Sequence, residues 1–536
     1  MPVRHLQSLS RLWLRFRVHA DGFAASPRAY LTALKWRVLG KRVRARAQFA
    51  PLLGSSPFAY PLWAMENVGR EQDHLADYGD PPIIALVEAV NGSDDPALGS
   101  TLASLSGAGI TAFVVANQRP DELAVVASAI DWSVRPWIMT MQAGDTLVSG
   151  ATRVYRAAIE PGTAVVYADD DLFDRLGRYK DPHFKPGWNS ELFRHCDVLT
   201  GASLINAQRE WLEQLSGVPD WASHLSAMAT AHGDVRHVPY VLHHRRSRPA
   251  IPAKVEPLTL AARWPRVSVI VPTRNRVDLL RTCVEGLQRT DYPDLEVLIV
   301  DNDSDDPETL AYLDALPSSR IRVLRHAGPF NYSAINNRAV EQATGTLLCL
   351  LNNDIEILSP DWLRIMATQA QRSDVGAVGA QLLYPDGRIQ HAGVVIGVGN
   401  AAGHAHRFLH PHDQGYFRRH ALPQFASAVT AACLVVAKDK FLAVGGLDER
   451  RFQVAFNDVD LCLRLNQRGW QSFYEPRACL IHHESVSRGF DRDPVGAHRF
   501  AGEVAALQEL WKTDEMVDPF HHPRLSRTSE QFTLAL

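Results

Sequence analysis

Three short apolar runs, VSVIV at 267–271, LEVLIV at 295–300 and TLLCLL at 346–351, each close on polar residues: Thr273-Arg274-Asn275, Asp301-Asn302-Asp303 and Asn352-Asn353-Asp354. An apolar run of strand length without alternation belongs to a strand covered on both faces, as in a parallel sheet. The stretches VDLLRTCVEGLQRT and SAINNRAVEQATG carry helical spacing, and Gly345 is expected to cap the second helix. Strand, helix and strand in that order predict an α/β fold. Such sheets bind ligands beyond the carboxyl ends of their strands, which puts Asp301, Asp303, Asn353 and Asp354 where a nucleotide would sit.

The chain has 536 residues, more than one core ordinarily serves, and the same alternation runs through an earlier stretch. IIALVEAVN parallels the opening strand, PWIMTMQAGDTL parallels TLLCLLNNDIEIL, GASLINA parallels AACLVVA, and HVPYVLHH parallels YEPRACLIHH, in the same order. This points to a duplicated domain. A stretch rich in proline and positive charge, 243–265, is the expected linker. The expected organisation is an arm at 1–65, a first α/β domain at 80–245 and a second at 265–515.

Residues 1–50 hold eleven Lys or Arg against one acid, Asp21, interleaved with aliphatic and aromatic residues. Two readings of this basic helical arm stay open: an amphipathic surface for an anionic membrane, or a basic helix packed on the protein's own acidic body. The rest of the chain is not basic, which argues against a nucleic-acid partner. No apolar run reaches the roughly 18 residues of a membrane span, and the N-terminal stretch lacks the apolar core of a secretory signal. A cytoplasmic protein is expected, peripheral on the inner face of the plasma membrane if the arm binds lipid. Six cysteines without CxxC spacing read as reduced core thiols.

Six motifs in order carry a resemblance: VSVIVPTRN, VDNDS at 300–304, PFNYSAINNRA at 329–339, LLNNDIEIL at 350–358, GGLDERRFQVAFNDVDLCLR at 445–464 and HHES at 482–485. Together they resemble family 2 glycosyltransferases of the GT-A fold, in particular the bacterial rhamnosyltransferase-like branch. The resemblance implies two tandem GT-A domains of the nucleotide-diphospho-sugar transferase, Rossmann-like kind, the first degenerate. It also implies inverting transfer of a hexosyl or deoxyhexosyl group from a UDP-, dTDP- or GDP-sugar to a glycan or lipid-linked glycan in surface polysaccharide synthesis.

By that resemblance Asn352-Asn353-Asp354 stands at the family's Asp-x-Asp metal motif, reduced to one certain carboxylate. Asp354 becomes the expected ligand of Mn²⁺ or Mg²⁺, with Glu356 as a water-mediated partner, because a bound cation offsets the charge that develops on a diphosphate leaving group. His482, 24 residues after Asp458, is the expected second ligand in preference to His483. Asp458 is the expected general base for the acceptor hydroxyl. Asp460 sits four residues before Arg464, as in a helical ion pair. The resemblance gives the nucleotide to Pro272, Thr273, Arg274, Asp301, Asp303, Asn331, Asn337 and Asn353.

The Gly- and His-rich stretch 387–420 is read as an acceptor lid, since HAHRFLHPH lacks structural zinc spacing. In the first copy Asp145 takes the place of Asp354, and Asp220 precedes His243 by 23 residues. Its altered first loop favours a structural, acceptor-binding or dimerising role, with Asp169-Asp170-Asp171 outside the metal motif. Two alternatives remain: both copies active, or a non-catalytic nucleotide-sugar- or glycan-binding protein.

Overall fold

The computed structural model describes residues 2–68, 80–90, 92–116, 121–174, 177–251, 255, 257–316, 318–483 and 494–536. Asn91, part of the linker and Glu484-Ser485 of the HHES motif lie outside the described residues.

The chain is α/β, as its apolar runs predict. The strands Val267–Thr273, Leu295–Asp301 and Leu347–Leu351 are buried at every position. Their side chains alternate between two apolar layers. Val267, Val269 and Val271 join Leu280 and Val284 of the Val277–Arg289 helix in one layer. Ile270 joins Ile335, Ala339 and Val340 of the Tyr332–Gln342 helix in the other. Each fully buried valine, leucine or isoleucine contributes about 1.5–3 kcal/mol, so the sheet's centre is rigid and its carboxyl edge fixed.

That sheet runs Ile321–Arg325, Leu295–Asp301, Val267–Thr273, Leu347–Leu351, Cys433–Ala437, Val375–Leu383, Gln471–His482 and Ile355–Ile357. The first four strands are parallel, and Cys433–Ala437 enters antiparallel. The other large sheet runs Thr111–Ala116, Ile83–Ala89, Trp137–Gln142, Ser203–Ile205, Thr163–Phe173, Asp234–Arg245 and Thr146–Leu147. From the second strand of the former and the first of the latter onward, every neighbouring pair has the same sense. The four segment pairs matched by sequence occupy equivalent positions.

The structure corrects two expectations here. The Asp234–Arg245 strand runs through His243, so the connection begins after Arg245. The Tyr332–Gln342 helix ends before Gly345, whose Cβ, if present, would lie 2.6 Å from Ser268 N and 2.8 Å from Arg266 O. That glycine lets two backbones meet rather than capping a helix.

Four helices, Pro2–Ala25, Pro27–Val38, Arg42–Gly54 and Ala59–Asn67, precede the sheets. Leu14, Val18, Tyr60 and Trp63 pack against Phe184, Val395 and Phe532. Leu12, Trp13, Phe16, Leu31, Leu34, Val38 and Leu39 stay exposed among the arm's cations. Among the described residues no helix is long and apolar enough to cross a membrane. All six cysteines are free thiols. The halves are tied by Arg372–Glu191 at 2.7 Å and by Asn189 Nδ2 donating to Phe425 O at 2.8 Å.

Candidate active site

Asp354 sits in the turn between the Leu347–Leu351 and Ile355–Ile357 strands. Antiparallel pairing sets Ile355 opposite His482, and His483 N donates to Asp354 O at 2.9 Å. The register therefore delivers the His482 ring to Asp354: Nε2 lies 3.1 Å from Oδ1, with both side chains buried. Nδ1 of His482 lies 3.0 Å from Gln390 Oε1. With Nδ1–H donated to that carbonyl, a neutral ring turns its Nε2 lone pair toward a carboxylate oxygen, an arrangement that a cation accepting both would satisfy. A neutral imidazole and a carboxylate suit Mn²⁺, and the residues fit the expected metal. His483 instead reaches Glu356 at 3.0 Å. A cavity of about 210 Å³ opens beside them, lined by Asp278, Thr282, Asp354, Glu356 and His483.

Asp458 lies at the start of the Asn457–Gln467 helix, after Phe456 with φ +60°. Its Oδ2 accepts from Ala431 N at 3.0 Å and its Oδ1 from Val459 N at 2.8 Å. Burial pushes its carboxyl above the ordinary carboxylate value, against the pull of those N–H groups. The neighbouring Ala432 O accepts from Asn352 N at 3.0 Å, so Ala431-Ala432 joins the carboxylate to the Asn352-Asn353-Asp354 turn. Tyr332 donates to Ala431 O at 2.9 Å, and its phenol is pushed up by burial first and then by the charges of Asp458 and Asp354. Asp460 pairs with Arg464 at 2.7 Å and accepts from Trp511 Nε1 at 3.0 Å, a structural tie as its spacing predicts.

The residues expected at the nucleotide divide. Pro272 and Thr273 end their strand beside the turn, and Thr273 Oγ1 accepts from Asn353 Nδ2 at 3.0 Å. Arg274 is exposed at that strand's end. Asp301 pairs with Arg325 at 2.5 Å, and Asp303 accepts from Gly328 N at 2.8 Å. Asn331 and Asn337 are occupied elsewhere. Asn331 caps the Tyr332–Gln342 helix and donates to Glu449 O, while both carboxamide atoms of Asn337 bond the backbone of Leu447. Their amides fasten the 447–449 segment.

Residues 268–429 match the model of glycosyl transferase family 2. This stretch is a family 2 glycosyl transferase domain. An uncharacterized protein of Sinorhizobium fredii, y4gI, is 36% identical over 83% of this chain and 54% of its own length. The O-antigen biosynthesis protein RfbC of Myxococcus xanthus is 32% identical over 88% of this chain and 43% of its own. An N-acetylglucosaminyl-diphospho-decaprenol L-rhamnosyltransferase of Mycobacterium tuberculosis is 28% identical over 38% of this chain and 70% of its own. The chain spans about half the length of the first two. Asp458 and His482 lie beyond the residues matched to the family model.

The family 2 domain holds further polar groups that its motifs did not announce. His391 Nδ1 faces Ala380 O at 2.9 Å, Thr430 N donates to its Nε2 at 3.3 Å, and burial pushes its pKa down to about 4. The His404 ring lies 5.3 Å from it, edge to face. Gln390, His391 and His404 belong to the 387–420 stretch, which supplies short strands and buried polar residues rather than an open lid. Their signal was IQHAG, polar residues without a period.

The other sheet carries a changed version of this turn. Thr146 pairs with His244, as Ile355 pairs with His482, so His244 rather than His243 stands in the equivalent place. His244 bonds Asp171 at 2.6 Å, and Asp145 faces Arg245 at 3.6 Å. Burial pushes Asp145 up to about 6 in spite of that guanidinium. Asp220 is exposed at the start of the Trp221–Thr230 helix. Asp169, His237 and His522 bring ligand atoms within 4.8 Å of one another; Asp169 Oδ1 bonds His237 Nε2 at 2.8 Å, whereas its Oδ2 lies 2.8 Å from His522 Nε2 without hydrogen-bond geometry. This cluster fastens the C-terminal segment to the sheet.

Proposed function

We propose that the chain transfers a hexosyl or deoxyhexosyl group from a UDP-, dTDP- or GDP-sugar to a glycan hydroxyl, with inversion, in building a bacterial surface polysaccharide. The observation that carries this reading is the Asp354–His482 pair, which a two-residue backbone segment joins to Asp458 inside and beside a family 2 domain. Asp354 and His482 would hold Mn²⁺ or Mg²⁺, which supplies charge stabilisation for the diphosphate leaving group.

The protein's own residues do the rest. Asp458 takes the acceptor proton, and the N–H groups of Ala431 and Val459 fix its carboxylate while leaving lone pairs for the hydroxyl. A single displacement with the base and the diphosphate on opposite faces of the sugar gives inversion. Thr273 and Asn353, already bonded to each other, form the wall on which the nucleotide lies. In the first copy Arg245 stands against Asp145, which favours a non-catalytic role for that half. We further read the exposed apolar and cationic face of the arm as a surface for anionic lipid, which keeps the enzyme at the cytoplasmic membrane face beside lipid-linked acceptors.

The test is the pH dependence of turnover across UDP-, dTDP- and GDP-sugars at saturating Mn²⁺. Asp458 must be ionised to act, and burial raises its pKa, so kcat is expected to rise with pH along an acid limb above the ordinary carboxylate range. A rate that stays flat down to about pH 4 contradicts the role of Asp458.

A further inference from the structure

The first sheet encloses a cavity lined by charged residues. Lys185, Arg245 and Arg248 converge there on Asp170, with side-chain exposures of 1%, 3%, 13% and 0%. Lys185 Nζ lies 2.9 Å from Asp170 Oδ2, and Arg248 Nε bonds Asp170 Oδ1. The Arg245 guanidinium has its nearest carboxylate oxygens at 3.6 Å on Asp145 and 3.8 Å on Asp170, and its buried Nε finds no hydrogen-bond acceptor. Gly201, at φ +80°, makes room for it: a Cβ there would lie 2.3 Å from a guanidinium nitrogen.

These three cations line a cavity of about 80 Å³. Asp197 also faces it but spends its oxygens on Leu199 N, Thr200 N and Ser223 Oγ. Lys185 and Arg245, both buried, and the part-buried Arg248 share the carboxylates of Asp170, Asp145 and Asp197, and the Arg245 Nε that finds no acceptor among them is the donor an entering anion would satisfy. The volume suits one tetrahedral oxyanion. Where the family 2 half sets a carboxylate against an imidazole, this half sets Asp145 against a guanidinium, a permanent cation in place of a metal.

We propose that this cavity binds a phosphate or diphosphate group without a metal ion, on Lys185, Arg245 and Arg248. Its outer wall is shared between the halves: Phe417, with φ +52°, stacks on His183 at 3.7 Å and lies under Arg248 at 5.5 Å. Whatever the phosphate carries leaves along that wall, in contact with the 387–420 stretch. A nucleoside diphosphate and a polyprenyl diphosphate share this chemistry. The inference stands apart from the transfer reading, because it needs neither the metal nor Asp458.

The test is calorimetric titration of the full chain in EDTA with inorganic diphosphate, UDP and farnesyl diphosphate, using uridine and farnesol as controls at matched ionic strength. Saturable binding of inorganic diphosphate is expected, with a Tm rise of roughly 5 °C at a hundredfold excess over Kd. The tighter of UDP and farnesyl diphosphate identifies the source. Arg248→Gln, which leaves Asp170 paired with Lys185 and Arg245, should weaken binding about tenfold or more, and Arg248→Lys should recover part of it. No saturation by any phosphate probe, or equal affinity in wild type and Arg248→Gln, overturns the proposal.

Discussion

Alanine in place of Asp354 is expected to lower sugar transfer by about 10²–10⁴-fold, with the melting temperature nearly unchanged. The backbone bond from His483 N to Asp354 O survives the substitution, so the turn keeps its shape. What is lost is the carboxylate 3.1 Å from His482. His482→Ala should behave differently. It leaves the carboxylate in place, weakens metal affinity by about 10–100-fold, and lets added Mn²⁺ restore much of the rate. Initial rates against Mn²⁺ concentration separate the two, and a wild-type curve for Asp354→Ala would remove that residue from the metal site.

Removing Asp170 should be the most destabilising single change in the first half. Its carboxylate is wholly buried and lies within ion-pair distance of Lys185, Arg245 and Arg248, so Asp170→Ala removes the counter-charge that the three share. Breaking such a cluster costs about 3–5 kcal/mol, or roughly 10 °C in Tm for a unit of this size. Burial alone would raise the Asp170 pKa, but Lys185, Arg248 and Arg245 outweigh it and hold the group well below the ordinary value. A depressed carboxylate contributes its stability above the unfolded-state pKa and loses it as pH falls toward the folded one. The wild type should therefore keep this contribution at neutral pH and shed it only in strong acid, whereas Asp170→Ala lacks it throughout. Thermal melts of both proteins between pH 7 and about pH 3 check this.

The parallel strands were legible in the sequence because burial on both faces leaves them almost wholly apolar, as in VSVIV and LEVLIV, whose polar residues Ser268 and Glu296 bond each other. Asp354 and His482 could be matched in advance because one sits where an apolar run ends and the other where its partner strand ends. The Ile355 pairing sets His482, not His483, beside the Asp354 carboxylate. The first copy shows the limit of such matching. A repeated His-His suggested His243, yet one step of register separates the two histidines, and pairing places His244. Gln390, His391 and His404 were read only as part of a lid because three-residue strands, too short to show a period, supply them, and the burial of Gln390 and His391 comes only with the folded sheet. Asn331 and Asn337 show a related ambiguity. An amide in a family motif can serve the ligand or the backbone, and here both amides fasten the 447–449 segment.

The most direct measurement is release of nucleoside diphosphate and transfer of sugar from UDP-, dTDP- and GDP-sugars in Mn²⁺, comparing wild type with Asp458→Asn. Turnover by the wild type that EDTA removes, with a loss of about 10²–10⁴-fold in the variant and donor binding retained, is the predicted result. Equal turnover in both proteins would contradict Asp458 as the base, and donor binding without turnover in either would make the chain a nucleotide-sugar-binding protein instead of a transferase.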